Sequence, residues 1–246
     1  MMRALGAMLR LLALTLRRAR ARGLPLRALG VQLHELGNRA VPLVAVGLGC
    51  FGAALVAHAD HEARPLVGDI SVVGPPALHL LVRELGPMLV GCLAALQLGS
   101  MIAAELATLK QGEQLEALEM SSGDVYAELV APRVLAGALV LPVLLTVGLA
   151  SAVLCAKLTA TYAYGSDGAA WASVLFTAPG DFAFGYAKAL AFGLAIPLAG
   201  AATGLAAPAG ASGVGQATTR GAVVAFMSVV AIDFAAAAVA AMLGAF

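Results

Sequence analysis

Long apolar runs alternate with short polar stretches along this chain, at about residues 41–57, 78–109, 126–156, 182–206 and 222–243. About 20 apolar residues span a hydrocarbon core of about 30 Å, so the pattern predicts five transmembrane helices. The first, from Val41 to about Ala57, is at the short end of that range. The second, from about Leu78 to Leu109, exceeds it and must tilt or protrude. A different rhythm precedes them. Leu5, Leu9, Leu12 and Leu16 recur at helical steps, while Arg3, Arg10 and Arg17 recur every seven residues. One apolar and one basic face predict a helix lying in the membrane interface, with its arginines among anionic headgroups. Arg10 interrupts the apolar stretch and no small-residue cleavage site follows, which argues against a signal peptide. The expected organisation is therefore a basic interfacial helix and connector over residues 1–40, followed by a five-helix membrane domain over residues 41–246.

The polar stretches differ in character. Between the second and third runs the chain reads EQLEALEMSS. Glu113, Glu116 and Glu119 share one helical face there and Leu115 and Leu118 another, which predicts a short amphipathic surface helix over residues 113–122; a solvated loop is the plainer alternative. HADHEAR, from His58 to Arg64, reads as a polar outer loop rather than a metal site. A second outer loop is expected over residues 157–181, with Trp171 at the interface, and a third loop over PAGASGVGQATTR before the last run. Pro87 is expected to open a kink, since proline cannot donate a backbone hydrogen bond, and Pro132 and Pro142 are expected break points. GLGCFG, at Gly47, Gly49 and Gly52, matches a dinucleotide fingerprint in form only: the fingerprint needs a strand before it and a helix start after it. Close helix packing accounts for these glycines, and for Gly200 with Gly204.

Composition sharpens the class. With 61% hydrophobic and 12% charged residues and a mean hydropathy of +0.92, the chain lies far from the soluble norm of about 25% charged residues. The expected fold is an all-α integral membrane protein. The formal net charge of +1 hides an asymmetry: Arg3, Arg10, Arg17, Arg18, Arg20, Arg22, Arg27 and Arg39 all precede the first apolar run. They predict a cytoplasmic N-terminus, and five spans then place the C-terminus outside. The cluster lacks the aromatic residues of a nucleic-acid site. Cys50, Cys92 and Cys155 sit singly in apolar runs and read as packing residues.

Candidate chemistry begins with charges where charges are costly. Arg83, Glu84, Lys188 and Asp233 lie within apolar runs, and each costs at least about 2.5 to 3.5 kcal/mol at a helix centre. Two cations and two anions suggest mutual pairing between the second, fourth and fifth spans, with Lys188 and Asp233 at matching depths. The sharper expectation is a cavity lined by these groups that accepts an amphipathic substrate. No phosphate-binding glycine loop, zinc-binding helix or nucleophile elbow is present. Uphill transport would draw its energy from a partner or an ion gradient.

The segment RELGPMLVGCLAALQLGSMIAAELATLKQGEQLEALEM, then PRVLAGALVLP, and finally GVGQATTRGAVVAFMSVVAIDFAAAAV closely resemble the MlaE (YrbE) family of ABC-transporter permeases. The resemblance implies a homodimeric permease of the bacterial inner membrane. It would move phospholipid or a related lipid to or from a periplasmic MCE-domain protein of the MlaD kind. It also implies a separate cytoplasmic ATPase of the MlaF type that holds ATP and Mg, leaving this chain without a cofactor. Glu113, Gln114, Leu115, Glu116, Leu118 and Glu119 then belong to a coupling helix on that ATPase. Arg83, Glu84, Lys188 and Asp233 line the lipid cavity, and Arg220 opens the last helix on the cytoplasmic side. HADHEAR departs from the family, which has an apolar Gly- and Gln-containing extension there, and the APAGASG loop is unusually small. Two other readings use the same acids: an ion-coupled secondary transporter working through Glu84 or Asp233, and an intramembrane lipid-modifying enzyme with a carboxylate base.

Overall fold

The computed structural model describes residues 26–242 without a break and, ahead of them, Gly6, Met8, Leu11, Ala13, Leu14, Thr15 and Arg17, all helical. The other positions that carry the interfacial-helix expectation, Leu5, Leu9, Leu12, Leu16, Arg3 and Arg10, lie outside the described residues, as does Leu243. All regular elements among the described residues are helical. Five are long and apolar enough to cross a membrane. We name them with the short helix between them: α1 (Leu26–Val67), α2 (Ile70–Gln111), α3 (Gln114–Met120), α4 (Tyr126–Tyr164), α5 (Pro179–Leu205) and α6 (Ala211–Met242).

The helices outrun the apolar stretches that announce them. Desolvation limits where a span must be apolar, whereas a helix continues as long as its backbone groups pair. The expected connector before residue 41 is helical from Leu26, and HADHEAR is helix rather than loop. There Arg64 meets Asp60, one turn earlier, at 3.0 Å and donates to the Tyr164 carbonyl at 3.0 Å. The stretch GVGQATTR is likewise helical, because α6 starts at Ala211. The outer loop contracts to the residues between Tyr164 and Pro179, so Asp181 falls in the first turn of α5. Trp171, expected at the interface, is turned inward. A 3₁₀ turn, Ala170–Ala172, drives it into the protein, 3% exposed, against Val56, Ile70, Ala156 and Ala160.

Pro87 and Pro132 do not break their helices. Each follows a π segment, Leu81–Leu85 and Tyr126–Val130, in which a backbone N–H reaches five residues back: Gly86 to the Leu81 carbonyl and Ala131 to that of Tyr126. The wider turn re-pairs the backbone around a residue that cannot donate. Pro142 lies inside α4.

The chain divides into two compact units. The first comprises Val41–Val90 and Pro142–Ala189. In it the GLGCFG glycines serve packing: a Cβ on Gly52 would lie 2.8 Å from the Ala152 Cα, and one on Gly49 2.9 Å from the Ser151 hydroxyl. Ser151 itself donates to the Ala45 carbonyl at 2.6 Å. The second unit comprises the chain up to Ala40, Gly91–Leu141 and the chain from Leu190. Small residues join its helices. Gly200 and Gly204 of α5 lie against Gly99, Ile102 and Ala103 of α2, and Gly221 of α6 meets Gly99 and Ala103. Gly137 and Gly193 touch backbone to backbone, each Cβ position 2.5 Å from the other's carbonyl oxygen. Without water to squeeze out between helices, such close approach is a main source of adhesion in lipid.

Candidate functional site

In the first unit the π segment of α2 carries Arg83 and Glu84, and both reach α5. Arg83 donates from Nη1 to Asp181 Oδ1 at 2.5 Å. Lys188 donates from Nζ to Glu84 Oε2. Arg83 and Glu84 also approach each other, Nε to Oε1 at 3.9 Å. The second Asp181 oxygen accepts the Ala178 N–H at 2.8 Å and lies 3.3 Å from His79 Nδ1. Phe184 offers its ring to both cations, 4.8 Å from Lys188 Nζ and 5.2 Å from Arg83 Cζ, a favourable placement over the negative ring face.

The cluster is closed in. Side-chain exposure is 1% for Lys188, 7% for Asp181 and 12% for Arg83, against 21% for Glu84. Isolated charges so withdrawn from water would be prohibitive, and pairing with hydrogen bonds is what makes them tolerable. Sequence pattern singles out Arg83, Glu84 and Lys188, and the structure brings these three together. It misses Asp181, His79 and Phe184. Their signal was spacing: 181, 184 and 188 fall on one face of a helix, and 79 lies one turn before 83. Lys188 takes Glu84 as an ion-pair partner. Asp233 is a half-buried residue of α6 in the second unit.

The second unit holds α3. Residue 113 adopts φ 54°, a left-handed kink that ends α2 and starts α3. Leu115 and Leu118 are half-buried, and Leu118 packs on Gly123, whose N–H donates back to the Leu118 carbonyl at 2.9 Å. Glu113, Gln114, Glu116 and Glu119 are exposed, and Met120 is 88% exposed. Leu118 thus faces the chain itself and the acidic face points outward. At the base of α3, Lys110 Nζ donates to the carbonyls of Leu205 and Ala207 at 2.8 and 2.9 Å, placing a cation on the carbonyl end of α5. Gln111 pairs with the same loop twice, donating to the Pro208 carbonyl at 2.6 Å and accepting the Gly210 N–H at 2.7 Å. Arg133 is buried against Glu105 at 3.2 Å and the Leu129 carbonyl at 2.7 Å. Arg220, expected at the start of the last helix, lies well inside α6 and is exposed.

Comparison with known proteins points to one family. The family model described as Permease MlaE matches residues 29–239. A probable ABC transporter permease protein of Rickettsia felis is 34% identical over 171 residues, covering 69% of this chain and 66% of that protein. A probable ABC transporter permease protein of Synechocystis is 34% identical over 171 residues, 68% of this chain and 64% of that one. The intermembrane phospholipid transport system permease protein MlaE of Haemophilus influenzae is 33% identical over 157 residues, 63% of this chain and 60% of its own length. In each case the chain spans two thirds or less of the relative.

Proposed function

This chain belongs to the MlaE permease family, and we propose that it is the membrane subunit of an ABC transporter that moves phospholipid or a related lipid between the bacterial inner membrane and a periplasmic MCE-domain protein. The ATP is hydrolysed by a separate MlaF-type cytoplasmic ATPase. The observation that carries the lipid part is the enclosed group of Arg83, Glu84, Asp181 and Lys188 among apolar helices. A phospholipid head presents a phosphate, often with an amine, and a site of cations and carboxylates offers partners for both. The apolar helix faces suit the acyl chains. The protein works as a homodimer. An ion-coupled mechanism through Glu84 would first have to take its carboxylate from Lys188.

The ATPase part rests on α3. Glu113, Gln114, Glu116, Glu119 and Met120, with the partly exposed Leu115 and Leu118, form the face that a partner meets. That face is acidic, and the groove that receives it is basic. In this orientation the N-terminus, α3 and Arg220 are cytoplasmic and the C-terminus periplasmic. Purification from native membranes with mass spectrometry of bound proteins and lipids tests the whole reading. An ATPase, an MCE-domain protein and phospholipid are expected; a lone chain with proton-dependent flux would overturn it. Glu116→Arg with Glu119→Arg should release the ATPase while leaving the permease folded.

A further inference from the structure

One member of the enclosed cluster is a histidine. His79 lies one turn before Arg83 on α2, and its Nδ1 stands 3.3 Å from Asp181 Oδ2. Arg83 holds the other oxygen of the same carboxylate at 2.5 Å. The histidine side chain is 37% exposed and Asp181 only 7%, so the imidazole reaches solvent while its partner is withdrawn from it. The remaining charges of the cluster are Glu84 and Lys188. The 3₁₀ turn Ala170–Ala172 packed against this part of α2 carries no titratable side chain, nor does Ile70–Val73.

With a neutral imidazole, Arg83 and Lys188 are matched by Glu84 and Asp181, and the cluster is neutral. Protonation of His79 adds one unmatched positive charge. It also puts a second cation on a carboxylate that Arg83 and the Ala178 N–H already share. The Arg83 guanidinium then has less call on Asp181 and more capacity for another oxyanion. Imidazole is the side chain whose charge ordinarily changes between about pH 5 and 8.

We propose that His79 is a specificity residue that sets the headgroup charge this site accepts. Charged, it favours an anionic headgroup, a phosphate without a balancing amine; neutral, it leaves zwitterionic and anionic heads on equal terms. The inference rests on the reading of the cluster as a headgroup site, and the test separates the two. The full chain in detergent micelles is titrated with fluorescent phosphatidylglycerol and with fluorescent phosphatidylcholine at about pH 8 and about pH 5.5. Preference for phosphatidylglycerol should rise about tenfold on acidification, the scale of one added charge-assisted hydrogen bond.

His79→Gln, fixed neutral, should lack that rise, and His79→Lys, fixed charged, should show the acid preference already at pH 8. A wild-type preference that does not move with pH, or a rise that survives in His79→Gln, overturns the role of His79. Inorganic phosphate that displaces both lipids equally at acid pH would show a free-anion site and overturn it as well. The headgroup reading itself fails instead if Arg83→Gln with Lys188→Gln leaves the binding of both lipids unchanged at both pH values.

Discussion

Reversing Lys188 to Glu sets a carboxylate against Glu84 where an ion pair stood. Lys188 is 1% exposed and Glu84 21%, so solvent screens the pair poorly. At about 4 Å and an effective dielectric near 20, unit charges interact by about 4 kcal/mol, and breaking one side of a buried pair costs about 3–5 kcal/mol. The single reversal should therefore destabilise the protein by about 3–5 kcal/mol. Glu84→Lys alone should cost a similar amount by opposing two cations. Combining the two restores opposite charges on the same pair of helices. The swapped geometry will be imperfect, and recovery of about half the loss is expected. Trp171 is the chain's single tryptophan and is buried in the same unit as the pair, so its fluorescence during SDS titration in mixed micelles reports on that unit. A double-mutant cycle over the four proteins gives the coupling energy. A swap no more stable than either single reversal would refute the pairing.

Packing at Gly193 should be intolerant, because a Cβ there lies 2.5 Å from the Gly137 carbonyl oxygen and 2.7 Å from the Ala138 Cα. Gly193→Ala should cost about 1–3 kcal/mol in the same titration, whereas Gly30→Ala, with nothing within 4 Å, should stabilise α1 by up to about 1 kcal/mol. Gln111→Ala removes two hydrogen bonds to the α5–α6 loop and should speed hydrogen exchange at the Gly210 amide by about tenfold, the equivalent of about 1.4 kcal/mol. Asp69, between α1 and α2, is held below the usual carboxylate range by the Ser71 hydroxyl first and the Ser71 N–H second. Its contribution is present above the unfolded value of about 3.9 and is lost as pH falls through the lower folded value. Ser71→Ala should move the Asp69 carboxyl titration upward, read by carbon NMR, but not all the way, since the N–H remains.

The five spans are legible in the sequence because a bilayer imposes a composition: a run such as that from Leu78 to Leu109 has few other uses. Their ends are not, because continuation depends on local pairing rather than on hydropathy. HADHEAR looks like a loop by composition and is helix partly because Arg64 finds Asp60 and the Tyr164 carbonyl. The same limit governs the site. Arg83, Glu84 and Lys188 stand out since a charge inside an apolar run is anomalous. Asp181 and His79 sit at polar edges where a charge draws no notice, and only a structure shows Asp181 turned onto Arg83 and His79 onto Asp181.

Pro87 ties these observations together. Adjacent residues on an α-helix do not face the same way, so in regular geometry an Arg-Glu pair divides between two surfaces. Here both engage α5, Arg83 at Asp181 and Glu84 at Lys188. Those two positions are seven residues apart, two turns and about 10 Å along one face. The pair lies in the widened π turn that ends two residues before Pro87, where an added residue in the turn lessens the divergence between neighbours. Proline thus does more than punctuate α2. By denying the helix one hydrogen bond it selects a local geometry in which two consecutive charges address a single partner helix, which is the kind of use to which π turns are put at functional sites.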